Sequence, residues 1–465
     1  MRKAIAVFLI LALVVISCGA AADTAVTLEN VRDYIVGLNE PMELPDGTFR
    51  SLINFDNAAT TPALQPVMDE VNAKLAKYGS IGRGYSLKSN YSTELYHETR
   101  DKVLEFVGAD PDLHLMFYVN NTTDGLNKLA SALITGSEDV VLCTRMEHHA
   151  NDLCWRERCK VIYAEVDEQG RMIYDEIERL LEENPVRLVC VTAASNVTGY
   201  VTDVHRIAKM AHAHGAQIVV DGAQIVAHRA FSMKGATPEE TVDYFVFSAH
   251  KMYSPYGGGA VIGLISDLED HLPMFYGGGM VNIVADDWVA WKSAPETYEA
   301  GSPNYPGVIG LGKAIEILEG IGFDSIEAHE QLLVRRLMDG LKKFDNVIIY
   351  GDTEDISDRV GVVTFNFTDI NTQLLAWDLS NVGAATRRGA FCAHPYVWRL
   401  MGIPDEELES FIGCDDAKTP GMIRVSFGIY NTAEEVDEFL EMLAKVLPAA
   451  REETNGEDSD IPAAY

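Results

Sequence analysis

The sequence predicts an α/β fold: a large doubly wound, mostly parallel sheet domain followed by a smaller α+β domain. Three observations lead there. From Ile53 to about Pro295, short apolar strands alternate with amphipathic helices. After Pro303 and Pro306 that alternation gives way to long helices and a few strands. The chain has 465 residues, 47% hydrophobic and 23% charged, enough for a large core and two to three domains.

The elements follow in order. Arg2 and Lys3 precede an apolar run over 4–16, and Ser17-Cys18-Gly19-Ala20-Ala21-Ala22 comes next. A basic start, a short apolar stretch and small residues read as a secretory signal over 1–22, too short for a comfortable membrane span. Val15-Ile16-Ser17-Cys18 resembles a lipobox with Cys18 as the lipid carrier, and Ala20-Ala21-Ala22 offers an ordinary cleavage site. The expectation is an exported protein or an anchored lipoprotein, cytoplasmic if the signal is not used. Residues 23–50 read as an arm with a helix over 27–38 capped by Thr27. Residues 51–305 hold the large domain, with strands over 115–119, 139–143, 161–164, 188–192, 217–220 and 244–247 and helices over 125–134, 174–183 and 204–214. Residues 306–449 hold the smaller domain, with helices over 310–320, 325–344, 372–382 and 433–446 and strands over 347–350 and 360–366. Residues 450–465 are acidic, lack periodicity and read as a disordered tail.

Charge and cysteine content narrow the classes. With 37 basic against 70 acidic residues the net charge is −33, opposite to a nucleic-acid footprint. Beyond Cys18, the cysteines at 143, 154, 159, 190, 392 and 414 show no framework spacing and no Cys-x-x-Cys, so neither a disulfide scaffold nor a zinc site is expected. His148 and His149 lack a carboxylate at chelating spacing, and no metal is expected.

The chemistry gathers at strand ends. One apolar strand runs into Ser248-Ala249-His250-Lys251, and another, Ile218-Val219-Val220, ends in Asp221. Alone, Lys251 reads as a loop lysine and Asp221 as a turn former. Together they are what pyridoxal phosphate chemistry needs: a lysine to hold the aldehyde as a Schiff base, and an acid to keep the pyridine nitrogen protonated. Ligands of open α/β sheets sit at such strand ends. Asn120-Asn121-Thr122-Thr123-Asp124-Gly125 joins a strand to a helix and is either a phosphate seat or a plain cap. His148, in Met146-Glu147-His148-His149-Ala150-Asn151, can stack on an aromatic ring and carry protons. Asn196, in Ser195-Asn196-Val197-Thr198-Gly199, can bond a ring oxygen or a substrate carboxylate. Arg387, Arg388 and Arg424 in the smaller domain suit a carboxylate grip. Cys392 stands in Arg387-Arg388-Gly389-Ala390-Phe391-Cys392, a candidate nucleophile or a buried structural thiol.

In combination these segments resemble the fold-type I pyridoxal phosphate enzymes of the class V aminotransferase superfamily, and most of all the short-loop cysteine desulfurases and selenocysteine lyases. The resemblance spans about Asn54 to Leu447 and also rests on Phe55-Asp56-Asn57-Ala58-Ala59-Thr60, Glu299-Ala300-Gly301-Ser302-Pro303-Asn304 and residues 424–432. It implies Lys251 as the Schiff-base lysine, Asp221 on the pyridine nitrogen, His148 stacked on the ring, and Gln224 and Asn196 at the ring oxygen. It implies Thr123, Ser248 and His250 on the phosphate, joined by Ser302 from a second subunit and hence a homodimer. Arg424, with Arg387 nearby, would take the carboxylate of an amino-acid substrate. Cys392 would accept sulfur or selenium, leaving alanine, and a sulfur-acceptor protein would follow. Other class V aminotransferases, lyases or epimerases share nearly all these residues, and a non-catalytic exported binding protein is a third class. Ala390-Phe391 stand where short-loop members often carry histidines.

Overall fold

A computed structural model describes residues 25–455, apart from Asp270, Pro273 and 415–417. The signal expected over 1–22, with Cys18, and residues 456–465 of the expected tail lie outside that range.

Seven strands build the large sheet: β1 (His114–Val119), β2 (Val140–Thr144), β3 (Lys160–Ala164), β4 (Val186–Thr192), β5 (Gln217–Asp221), β6 (Tyr244–Ser248) and β7 (Gly259–Leu264). Their order is β1-β7-β6-β5-β4-β2-β3. Strands β2 to β6 pair in parallel, and β7 runs antiparallel to both β6 and β1. Alternate residues serve opposite faces. Cys190, Val219 and Val246 join one apolar layer, and Val189, Val191, Val220, Phe245 and Phe247 join the other. A sheet buried on both faces requires such continuous apolar strands, which is why the sequence reads them so clearly.

Helices α1 (Gln65–Leu75), α2 (Leu87–Phe106), α3 (Thr122–Leu133), α4 (Ala150–Arg156), α5 (Tyr174–Glu183), α6 (Val204–Ala213) and α7 (Tyr305–Ile321) accompany this sheet. The boundary expected at 305/306 falls ahead of α7, but Leu311, Ala314, Ile315 and Leu318 of α7 pack into the core of the large sheet. The second core lies under a four-stranded antiparallel sheet of β8 (Val347–Ile349), β9 (Val362–Phe367), β10 (Arg387–Gly389) and β11 (Met422–Ser426), in the order β8-β9-β11-β10. Helices α8 (Phe323–Leu341), α9 (Thr372–Asn381) and α11 (Ala433–Asn455) cover it, with α10 (His394–Met401) nearer the large sheet.

One segment stitches the two sheets together. Ile53–Asn54 pairs in parallel with Ala384–Ala385, and Asp56 bridges to Ser426. The Phe55 ring meets Phe427 and Phe439 edge-on at 5.2 and 5.5 Å. Residues 56–61 are thereby carried across the domain junction.

Three elements differ from expectation. In place of the expected helix the arm forms a 3₁₀ turn, Val31–Tyr34, followed by an antiparallel strand pair, Pro41–Glu43 with Phe49–Ser51, and the Thr27 N–H is held by Asn30 Oδ1 at 2.8 Å. Helix α2 carries no clear apolar stripe because its buried face includes Ser89, Ser92, Thr99 and Arg100. Helix α11 runs through Pro448 to Asn455, so Arg451–Asn455 of the expected tail are helical, and Arg451 Nε donates to Asp369 Oδ2 at 2.8 Å. Among the described residues no helix is long and apolar enough to cross a membrane.

Helix α3 approaches the sheet at Gly125, where a β-carbon would lie 2.6 Å from Val246 Cγ1 and 2.7 Å from Val261 Cγ2. In an exposed helix Gly→Ala gains up to about 1 kcal/mol. Here overpacking costs about 1–3 kcal/mol and outweighs that gain. Gly125→Ala is therefore expected to lower stability in denaturant unfolding, and an unchanged or raised midpoint would contradict the packing.

Candidate active site

Strand register decides what meets at the edge of the large sheet. Thr192 lies opposite Asp221, and Asp221 opposite Val246; Ser248 lies opposite Gly259, and Gly259 opposite Val119. The C-terminal ends of β1, β4, β5 and β6 are thus level. The loops that leave them open onto one cavity of about 760 Å³. Lys251, Asp221, His148, Gln224, Thr123, Asn196, Ser248, His250, Arg387, Arg424 and Cys392 all line it. Ser302 does not; it is exposed.

Asp221 is buried, with Oδ1 accepting from the Ala223 N–H at 2.9 Å. Burial raises its pKa, and only that bond and the charge of Lys251 oppose the rise. Burial pushes the Lys251 amine down to about 8, and Asp221 works against that shift. The two ionisable groups therefore sense each other across a water-poor space. Burial, then Lys251, drives the His148 imidazole down to about 3, so the ring is neutral at physiological pH. Its Nδ1 accepts from the Ala150 N–H at 3.0 Å, which leaves the ring proton on Nε2. His250 is pushed to about 4 by burial and then Lys251, and its carbonyl accepts from the hydroxyls of Thr60 and Thr61, each at 3.1 Å. The turn that carries Lys251 is thus tied to the 56–61 segment.

At the opposite corner, Ser248 Oγ accepts from the Thr122 N–H at 2.8 Å and lies 2.7 Å from Thr122 Oγ1. Asn121 caps α3, its Oδ1 accepting from the Asp124 N–H at 2.9 Å. Thr122 and Thr123 line the cavity at the first turn of α3, a position that suits an anion. Gln224 Nε2 donates to the Ala58 carbonyl at 2.9 Å, while its Oε1 is buried without a partner. That orphaned acceptor, the buried carboxyl, the amine and the anion seat together fit pyridoxal phosphate.

Cys392 is exposed to the cavity on an unusual turn. Phe391 and Cys392 hold φ of 51° and 55°, and the Ala393 N–H closes back on the Ala390 carbonyl at 2.8 Å. Two left-handed central residues are the pattern of a type I′ turn, normally built from Asn and Gly. With side chains at both positions it costs about 1–3 kcal/mol per residue. Asn196 Nδ2 donates to the Phe391 carbonyl at 2.7 Å, and the His149 N–H to the Cys392 carbonyl at 2.6 Å. Burial raises the thiols of Cys143, Cys154, Cys159 and Cys190, and Cys414 is exposed away from this cavity's lining.

Sequence reasoning alone does not single out several neighbours. Thr122 bonds Ser248 through its N–H and hydroxyl. Asp56 pairs with both Arg387, at 2.9 Å, and Arg424, at 3.1 Å. Glu147 is buried between Thr144, Asn151 and the Thr192 N–H, and burial pushes its carboxyl up to about 8 despite those three donors. His394 packs on His149 at 4.6 Å and on Trp398 at 5.3 Å beside Cys392. Asp56 and Glu147 stand in segments that mark the family resemblance, which is the signal available for them.

In cofactor-free protein carrying ¹³C-methylated lysines, the Lys251 signal is expected to titrate near pH 8. Asp221→Asn is expected to move that midpoint lower, because Asp221 favours the ammonium. A midpoint near 10.5 would mean a solvated amine.

The comparisons with known proteins agree with this geometry. The family model Aminotransferase class-V matches residues 53–439. A cysteine desulfurase of Haloferax volcanii is 34% identical over 89% of this chain and 93% of its own. A probable cysteine desulfurase of Halalkalibacterium halodurans is 32% identical over 85% of this chain and 93% of its own. Among solved structures, the apo cysteine desulfurase of Thermococcus onnurineus NA1 superposes with a TM-score of 0.79 at 29% identity, covering 92% of this chain and 99% of that one. The chain belongs to the class V aminotransferase family and is a pyridoxal phosphate-dependent enzyme.

Proposed function

We propose that this enzyme is a cysteine desulfurase or selenocysteine lyase, with Cys392 as the sulfur acceptor. The observation that carries the reading is the strained Phe391–Cys392 turn, which holds a thiol in the same cavity as Lys251 and Arg424. The relatives and solved structures bearing that name support it.

Each side chain has a task. Lys251 holds the cofactor aldehyde and, as a free amine, moves the proton at the substrate Cα. Asp221 would keep a proton on the pyridine nitrogen, and the neutral His148 imidazole would serve the ring. Gln224 and Asn196 serve the ring oxygen; Thr122, Thr123, Ser248 and His250 serve the phosphate. When bound, pyridoxal phosphate supplies the electron sink for charge that develops at Cα. Arg424 and Arg387 orient the substrate carboxylate. Cys392 Sγ attacks the substrate sulfur: an S–S bond forms as the Cβ–S bond breaks, and the electron pair stays with the carbon fragment. Protonation of that fragment gives alanine, and Cys392 is left as a persulfide, so one cysteine and one thiol yield one alanine and one persulfide. A sulfur-acceptor protein then takes the persulfide sulfur.

A homodimer completes this site in the same reading. Ser302 is exposed, and the nearby segment leaves Phe275, Tyr276, Ile283, Val284 and Trp288 each more than half exposed. An apolar patch of this kind calls for a partner surface, and a second copy would bring its own Ser302 to the phosphate.

With cysteine and a thiol reductant, the purified holoenzyme is expected to release sulfide and alanine in equal amounts. Lys251→Ala should slow turnover by roughly 10²–10⁴-fold, the range of a lost general base. Cys392→Ser should abolish sulfide release while any selenocysteine lyase activity survives. Amination of a keto acid without sulfide would instead assign the aminotransferase chemistry.

A further inference from the structure

The turn that carries Cys392 belongs to the smaller domain, yet the large domain holds it. Asn196 Nδ2 reaches the Phe391 carbonyl, and the His149 N–H reaches the Cys392 carbonyl. Within the smaller domain the Arg424 guanidinium lies 4.7 Å from the Phe391 ring. One more contact completes the set: the His394 N–H donates to His149 Nε2 at 3.2 Å. His149 therefore bonds the chain on both sides of Ala393, with its main chain before that residue and its ring after it. The main-chain bond forms with any residue at position 149. The ring bond needs an acceptor at the reach of Nε2.

Helix α10 explains why that acceptor matters. It begins at His394, and no side chain of its own segment caps it. The first N–H groups of a helix find no partner inside it. Pro395 has no N–H, and the Val397 N–H already reaches the Ala393 carbonyl at 3.0 Å. The His394 N–H is left over, and a residue 245 positions away in the other domain satisfies it. An imidazole accepts at Nε2 only while that nitrogen carries no proton. Burial, then His394, brings His149 down to about 4 against the pull of Asp152, so the acceptor persists at physiological pH. The His394 ring packs edge-on against the same imidazole at 4.6 Å.

A turn with two left-handed side-chain-bearing residues keeps that shape only where its surroundings over-determine it. We propose that His149 is a positioning residue for Cys392: its ring caps α10 and so fixes the thiol's turn against the large domain, where Lys251 stands. This deepens the desulfurase reading, on which it rests for the role of Cys392. His149 acts through the turn and does not line the cavity.

The test compares variants as holoenzymes. His149→Phe keeps an aromatic ring beside His394 and offers no acceptor; His149→Gln gives up the ring and can place Oε1 near the Nε2 position. His149→Phe is expected to slow sulfide release from cysteine by about 10–100-fold, the scale of a small misplacement of a reacting group. The change in cofactor absorbance on adding cysteine should keep its wild-type amplitude and half-saturation. Backbone hydrogen exchange should rise about two- to tenfold in a peptide spanning 390–397, the worth of one hydrogen bond, and stay unchanged in one spanning 244–251. His149→Gln should restore most of both losses. Wild-type values in His149→Phe, losses in His149→Gln equal to those of His149→Phe, or a parallel loss of the cysteine-induced absorbance change would each overturn the proposal. If His149→Phe does not fold, His149→Ala is read by the same criteria. Hydrogen exchange needs no turnover: if the wild type releases no sulfide the desulfurase reading fails, and the exchange result still decides whether the ring holds the turn.

Discussion

Everything at this site follows from taking a lysine amine and an aspartate out of water together. An isolated ammonium in an apolar interior is prohibitively costly, and proteins meet that cost by pairing or by neutralising the group. Lys251 does some of each. Burial weakens its hold on a proton, and Asp221 restores part of that hold. An amine brought down to about 8 has a far larger free-base fraction than a solvated surface lysine at the same pH, and can therefore act as a nucleophile and as a base. The parallel sheet makes the arrangement cheap, because it brings strand ends level without any long-range search.

The second constraint lies across the domain junction. Residues 53–61 belong to neither sheet alone. They pair with Ala384–Ala385 on one side and bond the turn of Lys251 and the side chain of Gln224 on the other. Asp56, in the middle, ties both arginines of the smaller domain. Any shift of one domain against the other would therefore move the carboxylate corner relative to the amine. This short stretch holds the two halves in registration together with apolar clusters that span the junction, such as Met146, Val197 and Tyr200 against Tyr396, Val397 and Met422.

How far the sequence could be read depends on how local the determining forces are. The parallel strands were legible because burial on both faces demands unbroken apolar runs, and Asp221 and Ser248 could be placed because they end such runs. The antiparallel strand Gly259–Leu264 was not, since an apolar run carries no direction. Helix α2 escaped because it buries hydroxyls and an arginine rather than an apolar stripe. Asp56 was visible within a motif, yet its partners lie 331 and 368 residues away, beyond any pattern of spacing. The left-handed pair Phe391–Cys392 was also hidden, because neither residue belongs to the usual vocabulary of such turns.

That turn sets opposing demands on position 391. A glycine there would relax the backbone, since it alone adopts positive φ without strain. It would also strip away the aromatic plane against which Arg424 rests. Relief of tension in the loop and alignment of the guanidinium therefore pull the position in contrary directions, and the phenylalanine settles the conflict in favour of alignment. A more robust chain would carry a less sharply aimed arginine.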